Sequence, residues 1–456
     1  MENTQQGAEA KASPESGLLE KLFKLSEHGT TVKTELMAGL TTFVTMAYII
    51  FVNPDIMAKT GMDKDALVVA TCVGAAIGCM LMGLYANWPV GLAPGMGLNA
   101  FFTYTVVFDM GYTWQVAMAA VFVSGVLFAI MSFYKIREWI LDSIPQSLRY
   151  AMTAGVGLFL GIIGFKNAGI VVGFEPTLIT LGNFTQPSVL LAGVTFLIIG
   201  SLFRRNLFGA VLIGMLATTL AGIPLGLVSA PASIVSAPPS IAPLFMAMDF
   251  EHLFFNAEGA FNVGITSVII SFLFVNMFDT AGTLMGVADK ANLVDEKGEI
   301  QNLKKSLKAD SVSSVLGACV GCPPVTSYVE SASGVAAGGR TGLTAVTVGA
   351  LFLAATFFTD LALVVPSYAT AGALIFVAFL MMSGLSKINW DEFTDYVPAC
   401  ITAIMMAFTF SIANGIALGF ISYTFLKVGS GKTKEISISI WVLTAIFLAK
   451  LAFMSH

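Results

Sequence analysis

Two carboxylates stand where carboxylates are costly. Asp279 lies inside the stretch 262–287, NVGITSVIISFLFVNMFDTAGTLMGV, which is long enough to cross a bilayer and holds no lysine or arginine. Glu330 lies inside a second apolar stretch, 323–338. An ionisable group at membrane depth costs at least ~2.5–3.5 kcal/mol on insertion scales, so it turns to the protein interior or a water-filled cavity and marks a site. The plainer reading of Asp279, a carboxylate near a helix end with its head in interfacial water, stands against this. In one shared cavity the two acids would accept hydrogen bonds from N–H donors and take up and release protons as access alternates. Sodium is the competing ion, because carboxylate and carbonyl oxygens suit it as well.

The elements that must position these groups are interrupted. Span three, 90–108, meets Pro89, Gly91, Pro94, Gly95 and Gly97 before Asn99, and span ten, 323–338, meets Gly321, Pro323 and Pro324 before Tyr328, Glu330 and Ser331. Proline removes an amide donor and clashes with the preceding turn, while clustered glycine weakens what remains. Each span is therefore expected to be a short extended segment followed by a half-helix. Irregular backbone at membrane depth survives only where it lines a cavity or is buried, and broken segments at matching places in two halves point to a binding site. Half-helix amides, Asn99 and two acids make a cavity rich in directional hydrogen bonds and without a permanent cation. Such a cavity suits a neutral, flat, polar heterocycle better than an anion. Tyr328 offers a stacking face, or is an ordinary interfacial aromatic.

The composition agrees with a membrane setting. The 456 residues are 56% hydrophobic and 11% charged, and the mean hydropathy is +0.83. A soluble globule carries far more charge. Apolar runs near 35–54, 66–86, 90–108, 114–134, 146–166, 188–203, 207–229, 262–287, 308–320, 323–338, 342–360, 366–386, 396–412 and 414–428 make fourteen spans. With the N-terminus in the cytoplasm, 19 of the 23 basic residues fall on the inner side, which is what the positive-inside rule demands. The chain is thus an all-α polytopic protein of the cytoplasmic (inner) membrane. The polar first 34 residues are followed by no cleavage site, so no cleaved signal peptide is expected. The run 436–454, interrupted by Lys450, either crosses or lies in the interface.

The halves resemble each other. Phe51-Val52-Asn53 in span one has a counterpart in Phe274-Val275-Asn276 in span eight, and Ala154-Gly155 in span five has one in Ala371-Gly372 in span twelve. Seven spans per half is an odd number, so the second copy runs through the membrane in the opposite sense, as in secondary transporters.

Other chemistries find little support. Cys319 and Cys322 form a CxxC, but no second pair or histidine cluster accompanies it, so small packing residues are expected and no metal or cofactor site. The charged loop ADKANLVDEKGEIQNLKKSLKAD reads as a solvated cytoplasmic connection. His28, His252 and His456 lie outside the spans, and no nucleotide loop or HExxH occurs, so neither an enzyme nor a nucleic-acid binder is indicated. An anion carrier would favour a basic or neutral residue at the half-helix N-termini, and a channel a ring of repeated groups.

Six ordered motifs, GLTTFVTMAYIIFVNP, APGMGLNAFF, FDTAGTL, DSVSSVLGACVG, TSYVESASGVAAGGRTGLTAVTVG and YATAGALIFVAFLMMSG, resemble the AzgA-like purine permeases of the nucleobase:cation symporter-2 family, from about Leu22 to Lys427. The resemblance implies seven-plus-seven inverted spans with short strands in spans three and ten. It divides the chain into a tail (1–34), a core domain (35–134 and 262–360), a gate domain (135–230 and 366–428) and a C-terminal segment (429–456). It also implies proton-driven purine uptake, with adenine favoured, hypoxanthine or guanine as alternatives, and a homodimer left open. By motif match the family's span-eight acid falls on Asp279, its span-ten glutamate on Glu330 and its span-three asparagine on Asn99. Related uracil permeases carry a histidine one turn after the span-eight acid, where this chain has Thr283, so the proton burden falls on Asp279 and Glu330. Gly97, Thr283, Tyr328 and Ser331 complete the candidate substrate-binding set.

Overall fold

The computed structural model describes residues 17–134, 144–207, 209–231, 233–255, 262–291, 293 and 300–453. Span one is helix α1 (Val32–Met46) and helix α2 (Ile49–Met57), broken at Ala47 and Tyr48. Pro54 lies inside α2, where its missing amide and ring disfavour a straight continuation. Helix α3 (Lys64–Leu81) is span two. Span three is strand β1 (Leu92–Pro94), helix α4 (Met96–Ala100) and a π-helical continuation, Phe101–Asp109; α5 (Trp114–Phe133) is span four. Side chains of Thr31, Asp63 and Thr113 cap α1, α3 and α5 by accepting from the amide three residues on.

Spans five to seven are α6 (Gln146–Asn167), α7 (Pro187–Arg204) and α8 (Ala210–Gly222). A hairpin that the sequence did not foretell, β2 (Val171–Phe174) and β3 (Leu178–Leu181), joins α6 to α7. The second half repeats the order: α9 (Val263–Lys290), α10 (Leu303–Cys319), then β4 (Val325–Ser327) with α11 (Ser331–Ala336), then α12 (Gly342–Ala355), α13 (Ser367–Met382), α14 (Phe393–Phe408) and α15 (Ile412–Gly429). The C-terminal run forms α16 (Ile438–Phe453), packed on α15 through a Thr424–Thr444 hydroxyl contact of 2.7 Å and the rings of Phe420 and Phe447. Its 16 residues reach about 24 Å at 1.5 Å per residue, short of a ~30 Å hydrocarbon core.

Among the described residues, nine helices are long and apolar enough to cross a bilayer unaided. The shorter α8 and α14, the polar α10 and the two broken segments cross in company with them.

The helices α1–α5 and α9–α12 pack densely on one another, as do α6–α8 and α13–α15, while contact between the two sets is sparse. The internal repeat is visible in hydrogen bonds. Asn53 in α2 donates to Thr71 Oγ1 in α3 at 2.8 Å, and Asn276 in α9 donates to Ser314 Oγ in α10, also at 2.8 Å. Paired glycines tell the same story: Gly155 in α6 lies against Ala403 and Met406 of α14, and Gly372 in α13 lies against Ala192 and Thr195 of α7. A side chain at either glycine would meet backbone atoms within 3 Å, so these close crossings require glycine.

One acid sits deeper than its place in the sequence implies. Glu35, fully buried in α1, accepts from the Arg340, Thr341 and Thr344 amides at 2.8, 3.2 and 3.2 Å and from Thr344 Oγ1 at 2.6 Å, fastening α1 to the start of α12.

Candidate functional site

The two broken segments meet. β1 and β4 pair antiparallel, with Leu92 opposite Ser327, Ala93 opposite Thr326 and Pro94 opposite Val325. The Gly95 amide donates to Pro324 O and the Tyr328 amide to Gly91 O, each at 3.0 Å, so the proline-interrupted segments satisfy each other's backbone groups. Side chains extend the pairing: the Tyr328 hydroxyl donates to Pro94 O, and the Gly91 amide donates to Ser331 Oγ at 3.0 Å. Tyr328 and Ser331, expected to face a solute, are thus buried and engaged in holding the strands together. Gly97 is pressed against the other bundle, where an added Cβ would come 2.5 Å from Val156 Cγ1 of α6.

Glu330 is the residue at which β4 gives way to α11. Its carboxylate is partly exposed and accepts from the Tyr48 hydroxyl at 2.6 Å. Tyr48 lies at the break in span one and was absent from the sequence-derived set. An aromatic inside an apolar run gives no sign of its partner until the fold supplies one.

Asp279 is also partly exposed, and among the described residues its carboxylate accepts no hydrogen bond and pairs with no cation. Helix α9, which carries Asp279, packs on α11, at whose start Glu330 stands, and on β4. The structure therefore brings the two sequence-derived acids to one place. Thr283, one turn further along α9, is buried beside them.

Beside the broken segments the reading of two acids needs a correction: there is a third. Asp310 is fully buried two turns inside α10, because the helix begins at Leu303, within the segment read as a solvated loop. It accepts from Thr280 Oγ1 at 2.7 Å, from the Ser327 amide at 2.9 Å and from Ser327 Oγ at 2.7 Å. Thr280 Oγ1 in turn lies 2.9 Å from Thr326 Oγ1. Asp310 thus ties β4 to α9 and α10 from behind. The small polar residues around it, Ser306, Ser311, Ser313 and Ser314, were the available signal, since solvated loops have no need of a buried serine stripe.

Asn99 is fully buried; its amide donates to Asn53 Oδ1 at 3.0 Å, and its own Oδ1 has no partner among the described residues. It extends the Asn53–Thr71 link into span three rather than standing free in the cavity. Cys79 and Cys322 are buried with free thiols, the latter 2.9 Å from Ala70 O.

The arrangement offers one carboxylate without a partner among the described residues, one oriented by a phenol, and walls of small and aromatic residues. A donor-bearing neutral solute is matched to it; an anion is not, because among the described residues no cation pairs with either acid.

The profile of the Permease family, Xan_ur_permease, matches residues 33–418. The chain is 50% identical to adenine permease AdeP of Escherichia coli (strain K12) over 96% of its length and 97% of that protein's. It is 48% identical to adenine permease AdeQ of the same organism, over 96% and 97%. To guanine/hypoxanthine permease PbuG of Bacillus subtilis (strain 168) it is 44% identical, over 96% and 100%. Among solved structures, the transmembrane domain of the cyanobacterial bicarbonate transporter BicA superposes with a TM-score of 0.64 at 14% identity, covering 85% of this chain and 97% of that one. SLC26A9 superposes with a TM-score of 0.58 at 12% identity, covering 91% and 69%. These two likenesses concern the fold alone.

Proposed function

The chain belongs to the Permease family that includes xanthine and uracil permeases, and from that premise we propose that it takes up purine nucleobases across the cytoplasmic membrane, adenine first, by proton-coupled alternating access. The observation that carries this reading is the unpartnered, partly exposed Asp279 beside the Tyr48-held Glu330. A purine is flat, uncharged and edged with N–H donors and ring acceptors, and a carboxylate free of intramolecular bonds is the acceptor it requires. Glu330, fixed by the Tyr48 hydroxyl, supplies the second contact. Gly97 and Thr283 border the space, and Asn99, Tyr328 and Ser331 set the shape of the broken segments around it.

In this reading the bundle α1–α5 with α9–α12 is the core, which carries the site, and α6–α8 with α13–α15 is the gate against which it moves. Protons reach Asp279 and Glu330 from whichever side is open, so binding of base and proton is linked. The N-terminus faces the cytoplasm, consistent with the clustering of basic residues.

The test is uptake of radiolabelled adenine, hypoxanthine, guanine, xanthine and uracil in cells lacking their own purine uptake. Adenine accumulation that an uncoupler abolishes is the expected result. Uptake that survives the uncoupler and disappears without sodium rejects proton coupling, and no uptake of any base rejects the substrate class.

A further inference from the structure

The two bundles are joined by polar bonds at the face opposite the lysine- and arginine-rich loops. Asp55, at the end of α2, is largely buried and accepts from Ser367 Oγ at 2.9 Å and from Thr370 Oγ1 at 3.0 Å, both on α13 of the other bundle. One turn on, Lys59 donates to Asn167 Oδ1 at the end of α6 at 3.1 Å. Nearby, Thr105 Oγ1 donates to Phe410 O, between α14 and α15, at 2.7 Å. Three elements of the first bundle's rim thus grip three of the second's.

Toward the opposite face the seam is uncovered. Along α9 beyond Asp279, an added Cβ at Gly282 or Gly286 would meet no heavy atom within 4 Å. Met285 is 50% exposed and Val329, next to Glu330, 56% exposed. The site is therefore shut off at one end of the seam and approachable from the other.

We propose that Asp55 is the outer latch of the transport cycle: its hydrogen bonds to Ser367 and Thr370 hold the bundles together on the outer face while the site is open inward, and they separate when it opens outward. This rests on the core-and-gate reading above. Carboxylate-to-hydroxyl bonds suit a latch, since water takes over the freed donors and acceptor when the seam parts and only a modest net preference for the joined state remains to be overcome. A packed apolar contact would have to expose its surface to open. Lys64, whose Nζ is 3.9 Å from Asp55 Oδ1, sits on the same bundle and does not span the seam.

Two thiol reporters test it without any substrate. Ala371→Cys puts a thiol one turn beyond Ser367 on the same face of α13, buried while the seam is closed, and Met285→Cys puts one in the inner opening; each is labelled with a membrane-impermeant maleimide, from outside in cells and from inside in inverted vesicles. Labelling is read above that of the parent with its five native cysteines. Adding Asp55→Ala is expected to raise outer labelling and lower inner labelling, moving the ratio of the two roughly tenfold toward the outer reporter, as for a two-state population shift. Unchanged labelling of both reporters overturns the proposal. A rise of both overturns it too, since that marks a loosened protein rather than a shifted one. Because no base is needed, failure here leaves the purine reading standing, and failure of purine uptake leaves this result readable.

Discussion

The Tyr48 hydroxyl and Glu330 Oε1 lie 2.6 Å apart, joining the break in span one to the break in span ten. Hydrogen bonds to a charged group contribute ~1.5–3 kcal/mol. Tyr48→Phe is therefore expected to lower adenine uptake roughly tenfold or more, through KM, with unchanged abundance in the membrane. Wild-type kinetics in this variant would mean that Glu330 needs no support from the phenol.

Asp279→Asn and Glu330→Gln are expected each to abolish accumulation while the protein remains in the membrane. Both substitutions keep shape and remove the proton-exchanging group. Asp279→Asn makes no folding demand, because Asp279 has no intramolecular hydrogen bond among the described residues. Normal accumulation by either variant contradicts the role assigned to that acid.

Asp310→Asn should behave differently. Its carboxylate is saturated by Thr280 and Ser327, so the substitution replaces an acceptor by a donor facing donors. Detergent-extracted protein is expected to lose thermal stability, by ~2 kcal/mol or more for one buried group left unsatisfied. Full stability with lost uptake would move Asp310 from scaffold to site.

Glu35→Ala strands three backbone amides and a hydroxyl at the α1–α12 contact. Breaking a buried charged group's network costs roughly 3–5 kcal/mol. The expected outcome is a fall in folded yield, measured by size-exclusion chromatography; Thr344→Val, which removes only the hydroxyl's contacts and keeps the three amides satisfied, should fall less. Equal yields for both would assign the contact no weight.

The Glu392 carboxyl, in the loop before α14, is held down to about 2 by hydrogen bonds from Lys432 and Thr394. A depressed carboxyl stabilises the fold above the ordinary carboxylate pKa of ~4.3, and that contribution fades as pH falls toward the folded value. The melting-temperature advantage of wild type over Glu392→Gln should thus be constant from pH 7 to about 5 and shrink below it. An advantage that grows on acidification would reverse the sign. The group is only half-buried, so solvent screening keeps the effect small.

The interrupted spans were legible because proline and glycine act locally: Pro94 among Gly91, Gly95 and Gly97, and Pro323-Pro324 after Gly321, are clustered breakers, unlike the single Pro54 that α2 accommodates. That the two extended pieces pair, and in which register, was hidden, because the partner of Leu92 is Ser327 in the other half of the chain. Asp279 and Glu330 were legible as charges inside apolar runs. Tyr48 and Asn53 were not, since their significance lies in what the fold sets against them. Asp310 escaped notice because Lys304, Lys305 and Lys308 disguised the first turns of α10 as loop. Asn99 was found by its position after the break, yet its amide turned out to serve Asn53.

The pairing of β1 with β4 has a consequence for how such a protein can come into being. A solitary seven-span ancestor would leave one strand's amides and carbonyls bare in the middle of the lipid, where no solvent makes good the loss. Only a twin inserted upside down presents the complementary row. A partner repeat of opposite sense, fused or separate, is then a condition for the centre to exist in oil at all, and genes for the two repeats expressed apart should regain function only when both are made together.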